Sequence, residues 1–221
     1  MHSKQCIVNK YSNERFDPSD IMTDPGEKGL DGVAICVNGR VITSNDELES
    51  ILGEAKSLDV RFVFIQTKTS EHFDGDEIGT FIYAPEALRP QTNEKMDNLI
   101  SLKDEIYRHS IDMTNAPVLD LYYVCCGKWV EGNGLMSRVN LDIQPLIDTQ
   151  NFSSVAFFPY DSEKIITTYK ELKKKVSRSF TMEKKVTFPP IDGVKQAFLG
   201  LVKCKDFVTI LTDSRIAIII C

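Results

Sequence analysis

The chain has 221 residues, and its 26 Lys and Arg against 32 Asp and Glu give a formal net charge of −6. This length suffices for one large domain or two small ones, and the acidic balance argues against broad nucleic-acid affinity, since phosphate binding relies on Lys and Arg. No apolar run approaches the ~20 residues of a membrane span and no signal peptide is visible, so we expect a cytoplasmic protein without a membrane partner.

The N-terminal part is the hardest to interpret. Residues 1–28 are polar, contain two Asp-Pro turn signals and show no apolar stripe at helical spacing. A strand is predicted over 30–37, and Asn38-Gly39 predicts a tight hairpin turn into a returning strand over 41–43. The next predicted elements are a capped helix over 44–55, a strand over 60–68, helices over 78–83 and 94–113, and a strand over 117–126.

The strand Val60–Lys68 carries the most informative pattern. Because side chains alternate between the two faces of a strand, Phe64, Gln66 and Lys68 share one face, which changes from apolar to polar at its C-terminal end. Asp31 lies at the start of the earlier strand. An Asp that opens one strand and a Gln-x-Lys that ends a later one resemble the pattern of PD-(D/E)XK nucleases, most closely the Mrr-type variant with Gln in place of the middle acid.

The residue types suit metal-assisted phosphodiester hydrolysis. Asp31 would supply a hard oxygen ligand to Mg²⁺ or Mn²⁺, and Gln66 a neutral carbonyl oxygen to the same ion. Lys68 would orient the attacking water and offset charge on the phosphate. The alternative is an ordinary solvent-exposed strand end, and the tripeptide alone does not exclude it.

A second metal-binding carboxylate is required, because Asp31 and Gln66 together supply one formal charge. We take Glu14 as the best candidate, since it precedes the turn that leads to Asp31. The loop 69–76 could close over the site, although a solvated polar loop is the simpler interpretation. The other candidate acids are Asp17, Asp20, Glu27, Asp74 and Asp76.

The second half is predicted to form a separate, smaller lobe. The strand and helix order of the nuclease core is complete by Cys126, and a new pattern begins with a helix over 135–149 and a strand over 152–158. We therefore expect domains over 1–130 and 131–221. Asp161 is predicted to cap the next helix, and further elements are expected to be a strand near 180–188, two short helices over 194–201 and 206–211, and a final strand over 216–220.

The helix after Asp161 is rich in basic residues and is either a nucleic-acid contact or a solvated face. The candidate contacts are Lys173, Lys174, Lys175 and Arg178. The sequence also contains six cysteines and no Cys-x-x-Cys pair, so we interpret them as buried thiols in a reducing cytoplasm, not as zinc ligands or disulfides. They are Cys6, Cys36, Cys125, Cys126, Cys204 and Cys221.

In three of its segments the sequence resembles the bacterial abortive-infection phage-resistance (AIPR) proteins. The segments that carry the resemblance are Gly29–Ile35 with Asn38-Gly39, Phe62–Ser70 with Phe73 and Ile78-Gly79, and Ala197–Phe207. The resemblance implies a restriction-endonuclease-like mixed α/β sheet core with catalytic Asp31, Gln66 and Lys68, and a role in phage defence. Members of the family are usually much longer, so we expect this chain to be a fragment truncated at its C-terminus.

Three functions stay open from the sequence. The first is a metal-dependent endonuclease that acts on nucleic acid, DNA in the first place. The second is a catalytically inactive nuclease fold that binds nucleic acid or a protein partner, and the third is a structural or sensor module. A homodimer is the expected assembly. We expect weak or no cleavage from this chain, because Gln66 replaces one acid and the first helix, which should restore one, is not recognisable.

Overall fold

The structure is a computed structural model, which describes residues 2–23, 29–84, 94–132, 134–173, 182–189 and 198–205. It divides into two compact units, Met1–Lys173 and Lys174–Cys221. The elements of the first unit are α1 His2–Val8, β1 Gly32–Val37, β2 Arg40–Ile42, α2 Asn45–Glu54, β3 Val60–Lys68, α3 Gly75–Ile82, α4 Glu94–Arg108, a 3-10 turn Ser110–Asp112, β4 Val118–Cys125, α5 Leu135–Asp148, β5 Ser154–Tyr160 and α6 Ser162–Lys173. No helix among the described residues is long and apolar enough to span a bilayer.

The first unit contains a mixed five-stranded sheet in the order β2-β1-β3-β4-β5. The strand β3 is central: it pairs antiparallel with β1 and parallel with β4. Apolar side chains cover both faces of the sheet, with α2 to α5 on one side and α1 and α6 on the other. This arrangement confirms the predicted mixed α/β class, and double burial explains the nearly continuous apolar run of β3.

Three local sequence patterns form the turn and the helix caps that they predict. Asn38 and Gly39 have φ of 51° and 78°, the left-handed pair of a tight hairpin turn. Ser44 and Glu47 form a complete capping box at the start of α2. The Asp161 carboxylate accepts the Lys164 amide at 2.8 Å and so caps α6.

Two predictions about helices need correction. Residues 1–28 do contain a helix, α1, whose buried Cys6, Ile7 and Val8 are consecutive in sequence. A helix of seven residues is too short to show a repeating apolar stripe, so the sequence pattern missed it. In the second unit, Phe198–Val202 is a strand, β7, and not part of a helix; it pairs antiparallel with β6, Met182–Thr187.

The predicted domain boundary near residue 131 is wrong. The strand β5 pairs parallel with β4 along Val118–Val124, so the sheet continues through the proposed boundary. The compact units divide after Lys173 instead. The elements α5 and β5 form a helix-strand addition to the sheet, because the apolar residues of α5 pack into the same core as β3 and β4. The predicted helix 206–211 and strand 216–220 lie outside the described residues.

The described cysteines are free thiols, as expected, but they are not all buried. Cys6, Cys36 and Cys125 are buried, while Cys126 and Cys204 are exposed. Burial raises the pKa of Cys36 to about 12, which leaves its thiol protonated and unreactive. Cys221 lies outside the described residues.

A charged and aromatic cluster joins the segment after α1, through Lys10 and Tyr11, to the sheet on the face opposite α3. Arg61 on β3 pairs with the almost fully buried Asp120 on β4 at 2.5 Å, and its guanidinium lies 4.9 Å from the Tyr11 ring centroid. Burial opposes the charge of Arg61, but Asp120 outweighs it and holds the pKa of the guanidinium above its ordinary value. Lys10 donates to the hydroxyls of Tyr122 and Tyr160, each at 3.1 Å.

We predict that Arg61→Met lowers the free energy of unfolding by about 3 kcal/mol, because it leaves the Asp120 carboxylate buried without its cation. The matched control is Arg40→Met, which removes an exposed pair with Glu14 and should cost less than about 1 kcal/mol. Urea titration followed by circular dichroism measures both. Equal losses in the two variants would contradict the proposed importance of the buried pair.

Candidate functional site

Asp31 lies immediately before β1, and its carboxylate accepts hydrogen bonds from the end of β3. Its Oδ2 accepts the Thr67 amide at 2.6 Å and the Thr67 hydroxyl at 2.7 Å. The Asp31 amide in turn donates to the Ile65 carbonyl at 2.9 Å. Because Gly32 is paired with Ile65, Asp31 comes opposite Gln66, one step beyond the end of the ladder.

Gln66 is almost completely buried, with 6% of its surface exposed. Its Nε2 makes one long hydrogen bond of 3.4 Å, to the Thr67 carbonyl, and its Oε1 is buried without any hydrogen-bond partner. An unpaired buried carbonyl oxygen costs roughly 1–3 kcal/mol, so native proteins rarely keep one without a reason. By backbone register, Gln66 lies between Tyr123 on β4 and Asp31, which comes one residue before β1.

Lys68 is two residues further along the same face of β3, and its partner comes from α3. The Lys68 Nζ lies 3.1 Å from Glu77 Oε1, and the Tyr123 hydroxyl donates to Glu77 Oε2 at 3.0 Å. Burial, and then the bond to Glu77, raise the pKa of Tyr123 well above its ordinary value, so the hydroxyl remains a donor. Glu77 therefore joins the ends of β3 and β4 to the first turn of α3.

The start of α3 is fixed by its own cap. Asp74 accepts the amides of Asp76 and Glu77 at 2.9 and 3.0 Å, and these bonds hold the pKa of Asp74 below its ordinary value. Asp76 points away from this edge to Arg138 on α5, at 2.8 Å. The two acids of this loop that the sequence offered as ligands therefore cap and brace the helix.

The loop before α3 is held against the end of β4. The Cys125 thiol donates to the carbonyls of Ser70 and His72 at 2.9 and 3.4 Å. Gly127 is necessary here, because a Cβ at this position would lie 1.9 Å from the Glu71 carbonyl oxygen. Phe73 then packs edge-on against Trp129, with ring centroids 4.9 Å apart. These contacts fix the direction in which α3 leaves the loop.

On the other side, the segment that leads to Asp31 packs beside α3. Gly29 has a φ of 76°, and a Cβ there would lie 3.6 Å from the Phe81 Cα. Asp31, Gln66, Lys68 and Glu77 thus occur at the same end of β1 and β3, next to α3. Within the described residues, however, Asp31 and Lys68 share no hydrogen bond or ion pair: Asp31 binds Thr67, and Lys68 binds Glu77.

Glu14 does not complete this site, and that prediction is wrong. It pairs with Arg40 at 2.9 Å, beside the hairpin at the far end of β1. A six-residue strand is about 20 Å long, which separates Glu14 from Asp31 by far more than the reach of one cation. Asp17 caps its own turn by accepting from Ser19, and Glu27 lies outside the described residues.

The helix α1 does not restore the missing acid either. It contains no Asp or Glu, and its buried Lys4 donates to the Asp31 carbonyl at 2.6 Å. Of the predicted nucleic-acid contacts, Lys173 is the last residue of α6. Lys174, Lys175 and Arg178 lie outside the described residues.

Glu77 is the residue of this edge that the sequence analysis missed. The sequence prediction places Glu77 between the polar loop 69–76 and the helix 78–83, whereas the structure begins α3 at Gly75 and so includes Glu77 in its first turn. One signal could have found it: as the third residue of a helix capped by Asp74, its side chain is on the turn nearest the preceding strand.

Comparisons with protein-family models, with curated proteins and with solved structures give no match for the chain.

The donors at this edge fit a small divalent cation in chemical type, since Mg²⁺ and Mn²⁺ prefer oxygen ligands. Among the described residues there is no group of three or more His, Cys, Asp or Glu side chains placed to hold a metal ion. A cation here would therefore depend on the orphaned Gln66 oxygen together with a carboxylate from each side, Asp31 and Glu77.

We predict that Gln66→Met raises the free energy of unfolding by about 1 kcal/mol when divalent cations are absent, because it removes a buried oxygen that has no partner. Gln144→Met is the control: Gln144 is exposed on α5, and its replacement should change stability by less than about 0.5 kcal/mol. Chemical denaturation in the presence of EDTA measures both. A clear loss of stability in Gln66→Met would mean that the amide is satisfied in solution.

Proposed function

We propose that the chain is a metal-dependent endonuclease that cleaves phosphodiester bonds of nucleic acid, DNA in the first place, and serves bacterial phage defence in the cytoplasm. The single observation that carries the proposal is the buried, unpartnered Oε1 of Gln66 beside Asp31 and Lys68. The role in defence is supported by the sequence resemblance to the AIPR proteins.

The order of elements supports a restriction-endonuclease-like core. That core has a first helix followed by the order β-β-β-α-β. The chain has α1, β1, β2, α2, β3, α3, α4 and β4, so the proposal treats α2 and one of the two helices before β4 as additions. Asp31 stands at the start of β1 and Gln66-x-Lys68 at the end of β3, which are neighbouring strands. The pairing of these two strands is the support that the topology gives to the proposal.

In this proposal each residue has one task. A bound Mg²⁺ or Mn²⁺ supplies Lewis acidity and lowers the pKa of its water. Asp31 and Gln66 hold the cation with oxygen atoms, and the ammonium of Lys68 offsets the charge that develops on the phosphate. The side chain of Lys68 is 29% exposed, so a phosphodiester can approach it from solvent.

A catalytically inactive module that binds nucleic acid or a protein partner is the second candidate. The observation in its favour is that both charged residues of the motif already have partners within the protein: Asp31 bonds to Thr67 and Lys68 to Glu77. In an inactive protein these contacts are purely structural. In an active one, Lys68 has to exchange its partner when substrate binds.

Plasmid cleavage with Mg²⁺ or Mn²⁺ separates the two candidates. We predict that the unmodified protein cleaves only weakly, because Gln66 replaces one acid and α1 supplies none. Asp31→Asn and Lys68→Ala should each lower that rate by at least about 100-fold, since both groups act on the transition state. Asn at position 31 retains an acceptor for Thr67, so the end of β3 stays closed. Lys103→Ala is the control, because Lys103 is equally exposed and its ion-pair partner among the described residues is Asp104, on the surface.

Absence of cleavage on supercoiled DNA, single-stranded DNA and RNA with either metal would refute the endonuclease and favour the inactive module. Cleavage that Lys68→Ala and Lys103→Ala reduce equally would place the catalytic centre elsewhere on the chain.

A further inference from the structure

The site as described so far lacks negative charge. Asp31 contributes one carboxylate, Gln66 is neutral, and α1 has no acidic residue. A divalent cation on a single carboxylate and one amide is held weakly, because affinity in oxygen sites follows the number of charged ligands. The missing ligand has to come from an element that already borders Gln66.

Glu77 is an acidic residue in the required position, next to the strands that flank Gln66. Gln66 is aligned with Tyr123 in the parallel pairing of β3 with β4, and the Tyr123 hydroxyl binds Glu77 Oε2 at 3.0 Å. Lys68, on the same face as Gln66, binds Glu77 Oε1 at 3.1 Å. Glu77 therefore contacts the β4 neighbour of Gln66 and the residue two positions further along β3, and the cap at Asp74 fixes the turn from which it reaches them.

The bond between Glu77 and Lys68 can be exchanged at low cost. The side chain of Glu77 is 46% exposed and that of Lys68 is 29% exposed, and ion pairs of this kind contribute about 0–1 kcal/mol. The Tyr123 hydroxyl can keep Oε2 in place while Oε1 turns to a new partner. A carboxylate in this position suits a ligand that is recruited when the cation arrives.

We propose that Glu77 is the second acidic ligand of a divalent-cation site formed with Asp31 and the Gln66 oxygen, and that it leaves Lys68 when the cation binds. Two negative charges then balance the two positive charges of the ion. The released ammonium of Lys68 becomes available to a phosphate oxygen of the substrate. The cation itself rests on the proposed function, whereas the choice of Glu77 rests on its contacts with Lys68 and Tyr123.

Isothermal titration of the metal-free protein with Mg²⁺ and with Mn²⁺ tests the site directly. We predict that Glu77→Gln weakens binding by at least about 10-fold, since it removes one of two ligand charges while keeping an acceptor for Tyr123. The control is Asp76→Asn in the same helical turn, whose carboxylate faces Arg138 and should leave cation affinity unchanged. Equal affinity of Glu77→Gln and the unmodified protein would overturn the proposal.

A second variant, Lys68→Met, is expected to change the cation affinity in the opposite direction. Lys68→Met removes the competitor for Glu77, so we expect it to bind the cation more tightly, by about 2–5-fold, although it cannot assist cleavage. Lys103→Met should not change the affinity. Weaker cation binding by Lys68→Met would also overturn the proposal, because it would show that Lys68 holds Glu77 in the binding position.

The outcomes separate this inference from the proposed function. Cation binding that depends on Glu77 in a protein without nuclease activity would retain the site and refute the endonuclease. Metal-dependent cleavage by a protein whose cation affinity does not depend on Glu77 would retain the endonuclease and refute Glu77 as a ligand. If the protein shows neither Glu77-dependent cation binding nor cleavage, both the cation site and the endonuclease are refuted.

Discussion

The double pairing of β3 is the constraint on which the rest of the molecule depends. The strand has a neighbour on each side and an apolar layer on each face, so its backbone and side chains are satisfied without water along most of its length. This condition ends abruptly at Gln66. Beyond that residue the ladder to β1 is completed by a side chain, the Asp31 carboxylate on the Thr67 amide, where a carbonyl would otherwise be needed.

Closing a strand with a carboxylate links the site to folding. Because Asp31 holds the Thr67 amide, any cation that binds Asp31 competes with, or shares, a bond that stabilises the sheet edge. The orphaned Gln66 oxygen has the opposite character, since it lowers stability and makes no bond in return. A protein that keeps both features at one edge retains a destabilising group where a ligand could relieve it, as functional sites commonly do.

Much of the first unit could be predicted from local signals. The hairpin at Asn38-Gly39, the capping box at Ser44 and the bounds of Val60–Lys68 depend on neighbours in sequence, and these agree with the structure. The features that the sequence did not predict depend on contacts between residues far apart in the chain. The helix α1 is stabilised by packing on the sheet and not by periodicity, and β5 joins the sheet through pairing that the sequence does not encode locally.

The same distinction applies to the site. Asp31, Gln66 and Lys68 could be selected because strand alternation and strand ends follow from the sequence. Glu14 was chosen by proximity along the chain, and the fold places it at the other end of β1, beside Arg40. Glu77 could not be chosen in this way, because its position depends on how the loop is held by Cys125 and Gly127 and on the angle at which α3 then leaves the sheet.

The buried Lys4 of α1 places a positive charge next to Asp31. In the core that this sequence resembles, the first helix usually carries a further acid, whereas here it carries Lys4, bonded to the Asp31 carbonyl. A cation placed near Asp31 would meet the positive charge of Lys4 on one side and that of Lys68 on the other, unless each is neutralised. In the metal-free protein Lys68 pairs with Glu77, whereas Lys4 donates to the Asp31 carbonyl. Among the described residues, α1 brings a lysine to this strand end and α3 brings the carboxylate of Glu77, so a negative charge additional to that of Asp31 would come from α3.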